Sequence, residues 1–453
     1  MLVVISDLHL TDGSSGETIS ADAFKTFYDD LKVLIKLACE QKTDSGKAFK
    51  AIERCDIVLN GDVLDVIRSG KWREKSSLKL KPWSNTDSAE FIKIVSDITE
   101  AILVHNDEAL EHLRQMSKGV VIEDDQGGEV TIAVNLHYMV GNHDWFYHLA
   151  DAGLNKTRQL IIEKMGLSNS ADIIFPHTVD ELHDSELEQL CLQHRVYIQH
   201  GDIHDQLNYV KEHGRNYSSL GDAIVVLLLN AFPELVEDKL HDDKNEELIL
   251  KLKEFDNVRP LYEAPAWLRS ALKQHATPKQ SDIVVQAWRD SIREMTAEPF
   301  VKSARRRLSI SERIKFCIQF ELSRYLPLNT FVAIASFLGG LLPKHEKVYL
   351  EAAENEPWLY PQNGEAAKAD YVTYGHTHLE LLYPIDEVKE NGKIRDKLYL
   401  NSGTWRVVHV RTQKNKKQYE YNRHHVMTYL AFYQGNERGG RPFESWSGRL
   451  GLD

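Results

Sequence analysis

The chain has 453 residues, of which 42% are hydrophobic, and its formal net charge is −13. A chain of this length can bury one large core or two smaller ones. The acidic balance argues against a surface that coats DNA generally, although it leaves a local basic groove open. Cys39, Cys55, Cys191 and Cys317 show no CxxC spacing, so neither a disulfide framework nor a zinc-thiolate site is predicted. Reduced thiols fit a cytoplasmic protein, and no signal peptide is predicted because Met1 runs directly into an apolar strand.

The first part of the chain alternates between predicted strands and predicted helices. Short runs rich in β-branched residues indicate buried strands, and longer runs with apolar residues every three or four positions indicate amphipathic helices. The predicted elements are the strand Leu2–Ile5, the helix Asp22–Glu40, the strand Asp56–Asn60, the helix Ser88–Lys118, the strand Val134–Val140, the helix Thr157–Gly166, and the strands Ala171–Phe175 and Val196–Ile198. This alternation predicts an α/β fold with a doubly wound sheet.

Five apolar runs, four of these strands and the later run Tyr371–Thr373, are followed by side chains that bind metal ions. The blocks that follow them are Asp7-Leu8-His9, Gly61-Asp62, Gly141-Asn142-His143-Asp144, His200-Gly201-Asp202 and Gly375-His376-Thr377-His378. Open α/β folds place their sites at the carboxyl ends of the strands. We therefore expect these side chains to gather at one edge of a sheet.

The types of side chain in these blocks indicate the chemistry. Aspartate, neutral imidazole and amide oxygen suit manganese, zinc or iron better than magnesium, which prefers oxygen ligands and retained waters. Two such ions held ~3.5–4 Å apart activate water near neutral pH and neutralise both oxygens of an in-line displacement. Asp62, alone at the end of its strand, is the natural bridge. The sequence predicts a two-metal hydrolase site with manganese as the first choice, and with zinc, iron or magnesium as alternatives.

The order and content of the five blocks resemble the pattern of the calcineurin-like metallophosphoesterases, over residues 1–204 and 370–410. The resemblance implies a four-layer α/β/β/α sandwich with a large, mostly helical insertion. It also implies two sets of metal ligands that share one residue. The first set is Asp7, His9, Asp62 and His378, and the second set is Asp62, Asn142, His200 and His376.

The same resemblance implies that His143 is the acid that protonates the leaving alkoxide, with Asp144 orienting its ring. Asp65 has two interpretations: it contacts the bridging residue Asp62 outside the metal-ligand shell, or it caps the next helix. His204 and Asp205 are predicted to start a helix. Arg406 is predicted either to bind substrate phosphate or to form a surface ion pair.

Residues 205–368 break the alternation. No good β-pattern is present there, and the helical candidates are Ser219–Ala231, Glu246–Phe255, Ala264–His275, Ile283–Met295, Ile310–Tyr325 and Phe331–Leu342. We expect a helical insertion in a core formed by residues 1–204 and 369–433. Because its two ends flank His200 and His376, the insertion is predicted to cap the site, and a separate domain packed elsewhere is the alternative.

A basic cluster and an apolar stretch follow each other within the insertion. The cluster contains Lys302, Arg305, Arg306, Arg307, Arg313 and Lys315. The stretch Leu326–Pro343 is too short and too interrupted to span a membrane, so no transmembrane segment is predicted. Three interpretations stay open: a buried helix with a solvated basic flank, peripheral membrane contact through 302–342, or a path for a nucleic-acid strand.

The C-terminal part returns to strand patterns. The predicted strands are Leu379–Ile385, Lys397–Asn401, Thr404–Val410 and His425–Phe432, which we expect to complete a second sheet. Residues 434–453 have no period and are predicted to form a tail of loop or partly disordered structure.

The predicted activity is hydrolysis of a phosphodiester or pyrophosphate bond by in-line attack of a metal-bridging hydroxide. The substrate carries phosphate, and nucleotides, lipid-linked compounds and nucleic acids all remain open. Asp7–Leu10 and the insertion are similar to the UDP-diacylglucosamine pyrophosphatase branch, but that branch has arginine where this chain has His143, and its insertion is shorter. The alternatives are a nuclease of the same family and a catalytically silent scaffold.

Overall fold

The computed structural model describes residues 1–450 except 17, 45, 74–79, 242–244, 260–262, 333–345, 363–364, 391 and 413–419. Strands and helices are mixed along this part of the chain, as predicted for an α/β fold. The strands are β1 (Leu2–Ile5), β2 (Glu40–Thr43), β3 (Gly46–Phe49), β4 (Arg54–Asn60), β5 (Val120–Glu123), β6 (Glu129–Met139), β7 (Val196–Ile198), β8 (Val258–Arg259), β9 (Tyr371–Tyr374), β10 (Glu380–Glu390), β11 (Lys393–Ser402), β12 (Val408–Arg411), β13 (Tyr421–His424), β14 (Val426–Phe432) and β15 (Phe443–Arg449).

The α-helices vary from one turn to twenty residues. They are α1 (Ala21–Ala38), α2 (Ala89–His105), α3 (Asp107–Ser117), α4 (Asn155–Met165), α5 (Glu186–His194), α6 (Leu220–Ile224), α7 (Ala231–Leu240), α8 (Glu246–Lys253), α9 (Ala264–His275), α10 (Pro278–Ala297), α11 (Pro299–Arg305), α12 (Ile310–Phe316) and α13 (Glu346–Glu354). Among the described residues, no helix is both long enough and apolar enough to cross a bilayer.

Two sheets carry the predicted metal-binding blocks. The first has the order β15-β14-β1-β4-β6-β5, with β1, β4 and β6 parallel. The second has the order β10-β11-β9-β7, with β7, β9 and β11 parallel. Three blocks follow strands of the first sheet, and the blocks at His200 and His376 follow β7 and β9 of the second. The predicted edge is therefore shared by two sheets.

Alternation along β1 places the first sheet between two cores. Val3 and Ile5 face a core formed with helices α1–α4, whereas Leu2 and Val4 face a core formed with the second sheet. All four side chains are fully buried. A strand buried on both faces reads as a continuous apolar run, as the sequence of β1 does.

Helix α1 shows how the helical layer is built. The Ser20 side chain accepts a hydrogen bond from the Asp22 amide and caps the N-terminus. The buried side chains recur with helical spacing at Phe24, Phe27, Leu31, Leu34 and Ile35. Each large apolar side chain that is fully buried contributes about 1.5–3 kcal/mol, so this face fixes the helix to the sheet. The predicted helix Asp22–Glu40 is confirmed to within two residues at its C-terminal end.

Helices α6–α12 surround a core of their own. Phe232, Phe255, Trp267 and Trp288 form its aromatic centre. The π-helical turn Val225–Leu229 also sends Val225 and Val226 into the core beneath the first sheet. The helices predicted within 205–330 are present, whereas most of the predicted helix Phe331–Leu342 lies outside the described residues, as does 333–342 of the predicted membrane contact.

Two predictions in the N-terminal part are wrong. The long helix Ser88–Lys118 is two helices, because the Asn106 side-chain amide donates to the carbonyls of Thr11 (2.8 Å) and Ile102 (2.7 Å) and breaks the helix there. Residues 171–175 do not form a strand. The segment instead crosses the end of β6, where Val140 N–H donates to the Pro176 carbonyl at 2.9 Å.

The C-terminal predictions also need correction. Strands β10 and β11 join the second sheet as predicted, but β14 pairs with β1 in the first sheet, and β12 pairs with β13 and β8 in a third. The predicted tail contains β15, which pairs antiparallel with β14. Its edge position leaves most of its side chains exposed, so the sequence shows no apolar period there. The insertion also contains the two-residue strand β8, which is too short to leave a pattern.

Candidate metal centre

The predicted metal ligands occupy strained backbone just past the strands. Nine non-glycine residues in the described part of the chain have positive φ, and five of them are predicted ligands. These five are Asp7 (53°), His9 (47°), Asp62 (52°), His376 (66°) and His378 (60°). The left-handed region is unfavourable for residues with a Cβ, and such strain persists mainly where surrounding contacts impose it at functional sites.

Two glycines in the blocks are required by close approach. A Cβ on Gly61 would lie 2.5 Å from His200 Nδ1, and a Cβ on Gly141 would lie 2.6 Å from His200 Cδ2. Any side chain at either position would push the His200 ring out of the centre. Close packing against His200 therefore explains why glycine precedes Asp62 and Asn142 in their blocks.

A first group of side chains brings together Asp7, His9 and His378. His9 Nε2 lies 2.9 Å from His378 Nε2, and His378 Nε2 lies 3.4 Å from Asp7 Oδ1. Asp62 Oδ2 is 3.7 Å from His9 Nε2. These are the four residues predicted for the first ion.

A second group brings together Asp62, His200 and His376. His200 Nε2 lies 3.2 Å from Asp62 Oδ2, the same oxygen that approaches His9. Asn142 lies in the same buried region, with its Nδ2 3.4 Å from Asn208 Oδ1. The side chains predicted for the two ions thus converge on Asp62, the residue predicted to bridge them.

His9 and His200 each use Nδ1 for a hydrogen bond, which directs Nε2 toward Asp7 and Asp62. His9 Nδ1 donates to Asp65 Oδ2 and His200 Nδ1 donates to the Asn60 carbonyl, both at 2.9 Å. In the neutral rings each Nε2 then carries the lone pair, the form in which imidazole binds a metal, and the same position takes the proton when His200 is charged. His200 Nε2 and Asn142 Oδ1 are buried and find no hydrogen-bond partner among the described residues. Buried polar atoms are rarely left without a partner, so these two fit a pocket that holds cations.

The electrostatics of the pocket favour positive charge. Burial alone raises the pKa of Asp62, but the neighbouring His200, His143 and His9 outweigh it and hold the pKa well below its usual range. Burial likewise lowers the pKa of His200, but Asp62 and Asp7 outweigh it and raise the pKa well above its ordinary value. Burial and the Arg259 guanidinium lower the pKa of His378, which keeps that ring neutral.

The prediction that Asp144 orients His143 is wrong, because Asp65 does so. His143 Nδ1 donates to Asp65 Oδ1 at 2.6 Å. Asp65 therefore holds the rings of both His9 and His143. It also caps the 3-10 turn Val66–Arg68, which confirms the capping interpretation, whereas the described contacts of Asp65 are to these two histidines and not to Asp62. Burial opposes protonation of His143, but the carboxylates of Asp65 and Asp62 raise its pKa to about 9.

Asp144 fixes the surrounding loops instead. Its Oδ2 accepts hydrogen bonds from the Tyr138 hydroxyl (2.6 Å) and the Val63 amide (2.9 Å), and its Oδ1 accepts one from the Gly141 amide (2.6 Å). Burial, together with the charge of Asp62, raises the pKa of Asp144 to about 6. This carboxyl therefore stabilises the turn that carries Asn142 and His143.

A group of arginines lies beside the first set of ligands. Arg259, on β8, places Nη2 2.7 Å from His378 Nδ1. Arg406 is 5% exposed, so it is not a surface residue, and its Nη1 lies 3.4 Å from Asp256 Oδ2. Arg68 Nη1 lies 3.6 Å from the same oxygen. Arg68 and Arg406 thus approach the same carboxylate oxygen of Asp256, and together with the charge of Arg259 they outweigh its burial and lower its pKa to about 2.

The start of the insertion supplies further neighbours. Asp205 Oδ2 lies 3.4 Å from His376 Nε2, and Asn208 Nδ2 lies 3.5 Å from the same nitrogen. His204 and Asp205 do not start a helix: His204 ends the 3-10 turn Asp202–His204 and Asp205 follows it. Arg259 and Asn208 are not among the predicted site residues, because Arg259 lies on a two-residue strand and Asn208 in a turn, and neither leaves a sequence pattern.

Comparison of the chain with family models, with curated proteins and with solved structures finds no match. The chemistry of the centre therefore has to be judged from its own geometry. Its acids, imidazoles and amide oxygen are side chains of the kind that could hold a metal ion. His143 can hold a proton beside them, and the adjacent arginines can receive an anion.

Proposed function

We propose that this chain is a binuclear-metal phosphoesterase that hydrolyses a phosphodiester or pyrophosphate bond. The observation that carries the proposal is the convergence of side chains from five separate blocks on Asp62, with His9 and His200 held in the metal-binding form. The resemblance to the calcineurin-like metallophosphoesterases extends the proposal to the fold. Helices α1–α4, the two sheets, and α5 and α13 packed on the second sheet would be the four layers.

Each group at the candidate centre would have a separate role in the reaction. A pair of divalent ions, when bound, supplies an activated water and neutralises charge on the reacting phosphate. Asp62 offers one carboxylate to both ion positions, and Asn142, His200 and His376 complete the second position. His143, protonated at neutral pH, donates its proton to the leaving oxygen while Asp65 holds its ring.

The arginines support an anionic substrate. Arg259 is half-buried, and desolvation lowers its pKa only to about 10, so it stays charged at neutral pH. Arg68, Arg259 and Arg406 all interact with the charge of Asp256, so three positive charges gather beside the candidate centre. We assign Arg259 to a non-reacting phosphate oxygen, because it reaches the ligand His378 directly. Arg406, with its Nη2 buried and lacking a partner among the described residues, keeps its predicted role as a second phosphate contact.

The nuclease alternative has less support from the basic cluster. Arg305 pairs with Glu321, Lys315 pairs with Glu312 at 2.6 Å, and Arg313 donates to backbone carbonyls. Three of the six basic side chains thus have partners within the helical region, and the exposed Lys302, Arg306 and Arg307 leave a smaller positive surface for a nucleic-acid backbone. We therefore favour a small or lipid-linked phosphodiester or pyrophosphate over a polynucleotide.

The experiment is a metal-dependent activity screen. Protein reconstituted with manganese or zinc is assayed on bis-p-nitrophenyl phosphate, p-nitrophenyl phosphate, a nucleotide sugar and labelled DNA. We expect hydrolysis of the diester or the pyrophosphate, its loss on chelation, and background rates for Asp62→Asn. Asp184→Asn is the matched control, because Asp184 has a similar φ of 57° on the surface. Full activity of Asp62→Asn would overturn the proposal.

A further inference from the structure

Three side chains outside the proposed centre form a second cluster of metal-ligand type. His148 ends the 3-10 turn Trp145–His148, which directly follows the block at Asn142, and His177 and Glu181 lie in the next loop. Glu181 Oε1 lies 2.6 Å from His148 Nε2, and Glu181 Oε2 lies 2.9 Å from His177 Nδ1. None of the three belongs to the groups around Asp62.

The other ring nitrogen of His148 also has an oxygen partner. His148 Nδ1 faces the Asn216 side-chain oxygen, to which it can donate. In that tautomer Nε2 carries its lone pair on the side of Glu181 Oε1, where one metal ion could bind both atoms. Fixing one ring nitrogen with an oxygen acceptor is also how metal-binding histidines are commonly oriented.

Glu181 is suited to be the anionic member of this cluster. Burial alone raises the pKa of Glu181, but the hydrogen bonds from His148 and His177 outweigh burial and lower the pKa below its ordinary value. The His177 amide donates to the same Oε2 at 2.9 Å, which holds the carboxylate in place. The side chains of His148, His177 and Glu181 are 9%, 22% and 21% exposed, so water can reach one side of the cluster.

A neighbouring trio provides a contrast. His183, Asp184 and Glu188 also bring three potential ligand atoms together. His183 and Asp184 are 85% and 81% exposed, and the distances from His183 Nδ1 to the two carboxylates are 3.4 and 3.8 Å. Such an arrangement is an ordinary surface ion pair. The trio therefore supplies control variants from the same region.

We propose that His148, His177 and Glu181 bind one divalent ion of the zinc type, with water as the fourth ligand. Two imidazoles and one carboxylate select zinc, cobalt or nickel over magnesium or calcium. With metal–ligand distances of about 2.0–2.2 Å, the ligand atoms of a tetrahedral site lie about 3.4 Å apart, so the present contacts would have to lengthen by roughly 0.5–0.8 Å. The ion would join the turn after Asn142 to the following loop and, through Asn216, to the start of the insertion, so its role is structural.

The test counts metal ions instead of measuring activity. Wild-type protein, His177→Ala, Glu181→Gln and the control His183→Ala are equilibrated with buffered zinc, and metal per chain is measured by elemental analysis. We expect wild type and His183→Ala to hold one equivalent more than His177→Ala and Glu181→Gln. Equal zinc in wild type and both cluster variants would overturn the proposal and leave a hydrogen-bonded ion pair only.

A second measurement separates this site from the proposed centre. Asp62→Asn removes the ligand shared at the centre and leaves the cluster intact, so this variant should keep the extra equivalent and lose it when Glu181→Gln is added. Cobalt bound to Asp62→Asn should give the strong visible absorption of a four-coordinate ion. No such absorption would contradict the site even if the phosphoesterase proposal holds. Glu181→Gln conserves size, and its circular dichroism verifies that the fold is kept.

Discussion

The carboxyl edge of the two sheets and the segment 205–368 contribute to the metal centre in different ways. The edge supplies the seven predicted ligands from strand ends, and five of them lie in left-handed backbone. The segment supplies Arg259, Asp256 and Asn208, each from a short strand or an irregular turn. The comparison teaches that the candidate metal ligands follow from a repeated local geometry, whereas the proposed phosphate contacts depend on single tertiary contacts.

The largest expected effect at the sheet edge is that of removing the proposed proton donor, His143. We expect His143→Ala to lower turnover on a diester with a poor leaving group by ~10²–10⁴-fold, because general acid catalysis is lost. Metal content should stay unchanged, since His143 is not a predicted ligand. On an activated aryl ester, whose leaving group needs no proton, the loss should be much smaller. The exposed histidine variant His183→Ala serves as control, and an equal loss on both esters would contradict the assignment.

A second test separates the two acids near His143. Asp65→Asn should lower metal affinity or activity by ~10–100-fold, the usual effect of removing a partner that orients a metal-binding ring. Asp144→Asn should mainly lower thermal stability, because the new amide group would face hydrogen-bond donors in the loops. Kinetics on poor and good leaving groups, combined with thermal unfolding, distinguish the two. Interchanged phenotypes would restore Asp144 as the residue that orients His143.

The contribution of the 205–368 segment is tested at Arg259. Arg259→Ala should raise KM by about 10-fold or more, since a hydrogen bond to a charged group contributes about 1.5–3 kcal/mol. Arg293→Ala is the matched control, because Arg293 is 58% exposed on α10 and pairs locally with Asp290. Steady-state kinetics on the best substrate provide the measurement. An unchanged KM for Arg259→Ala would show that this segment does not contact the phosphate.

The smallest expected effect concerns how the segment is attached to the C-terminal strands. Glu254 accepts a hydrogen bond from His409 on β12 at 2.6 Å, and this bond with that of Lys251 outweighs burial and lowers the Glu254 pKa to about 2. Because this pKa lies below its ordinary value of 4.5, the stability from the pair is complete above about pH 4.5 and declines as the pH falls toward 2.

Urea unfolding of wild type and Glu254→Gln measures that contribution. The two should differ by about 1.5–3 kcal/mol in free energy of unfolding near neutral pH, and the difference should shrink as the pH falls below about 4.5. Glu100→Gln, on the exposed face of α2, should show no such change. A difference that does not depend on pH would contradict a charge-based attachment.

The structure is predicted best from the sequence where a pattern of residues repeats. The sequence predicts β1, β4 and β7 because each is an apolar run that is followed by Asp or His. It also predicts that Asp62 lies between the two groups of candidate metal ligands. The sequence does not predict features that depend on a single tertiary contact. Whether Asp65 or Asp144 holds His143 depends on how two loops fold back, and the positions of Arg259 and of β15 depend on pairing with distant strands.

Anomalous diffraction from crystals grown with manganese tests the central claim most directly. We predict two peaks about 3.5–4 Å apart with Asp62 between them, one against His9 and His378 and the other against Asn142, His200 and His376. In Asp62→Asn crystals both peaks should weaken strongly. A single peak, or none at this edge in wild-type crystals saturated with manganese, would contradict the binuclear centre.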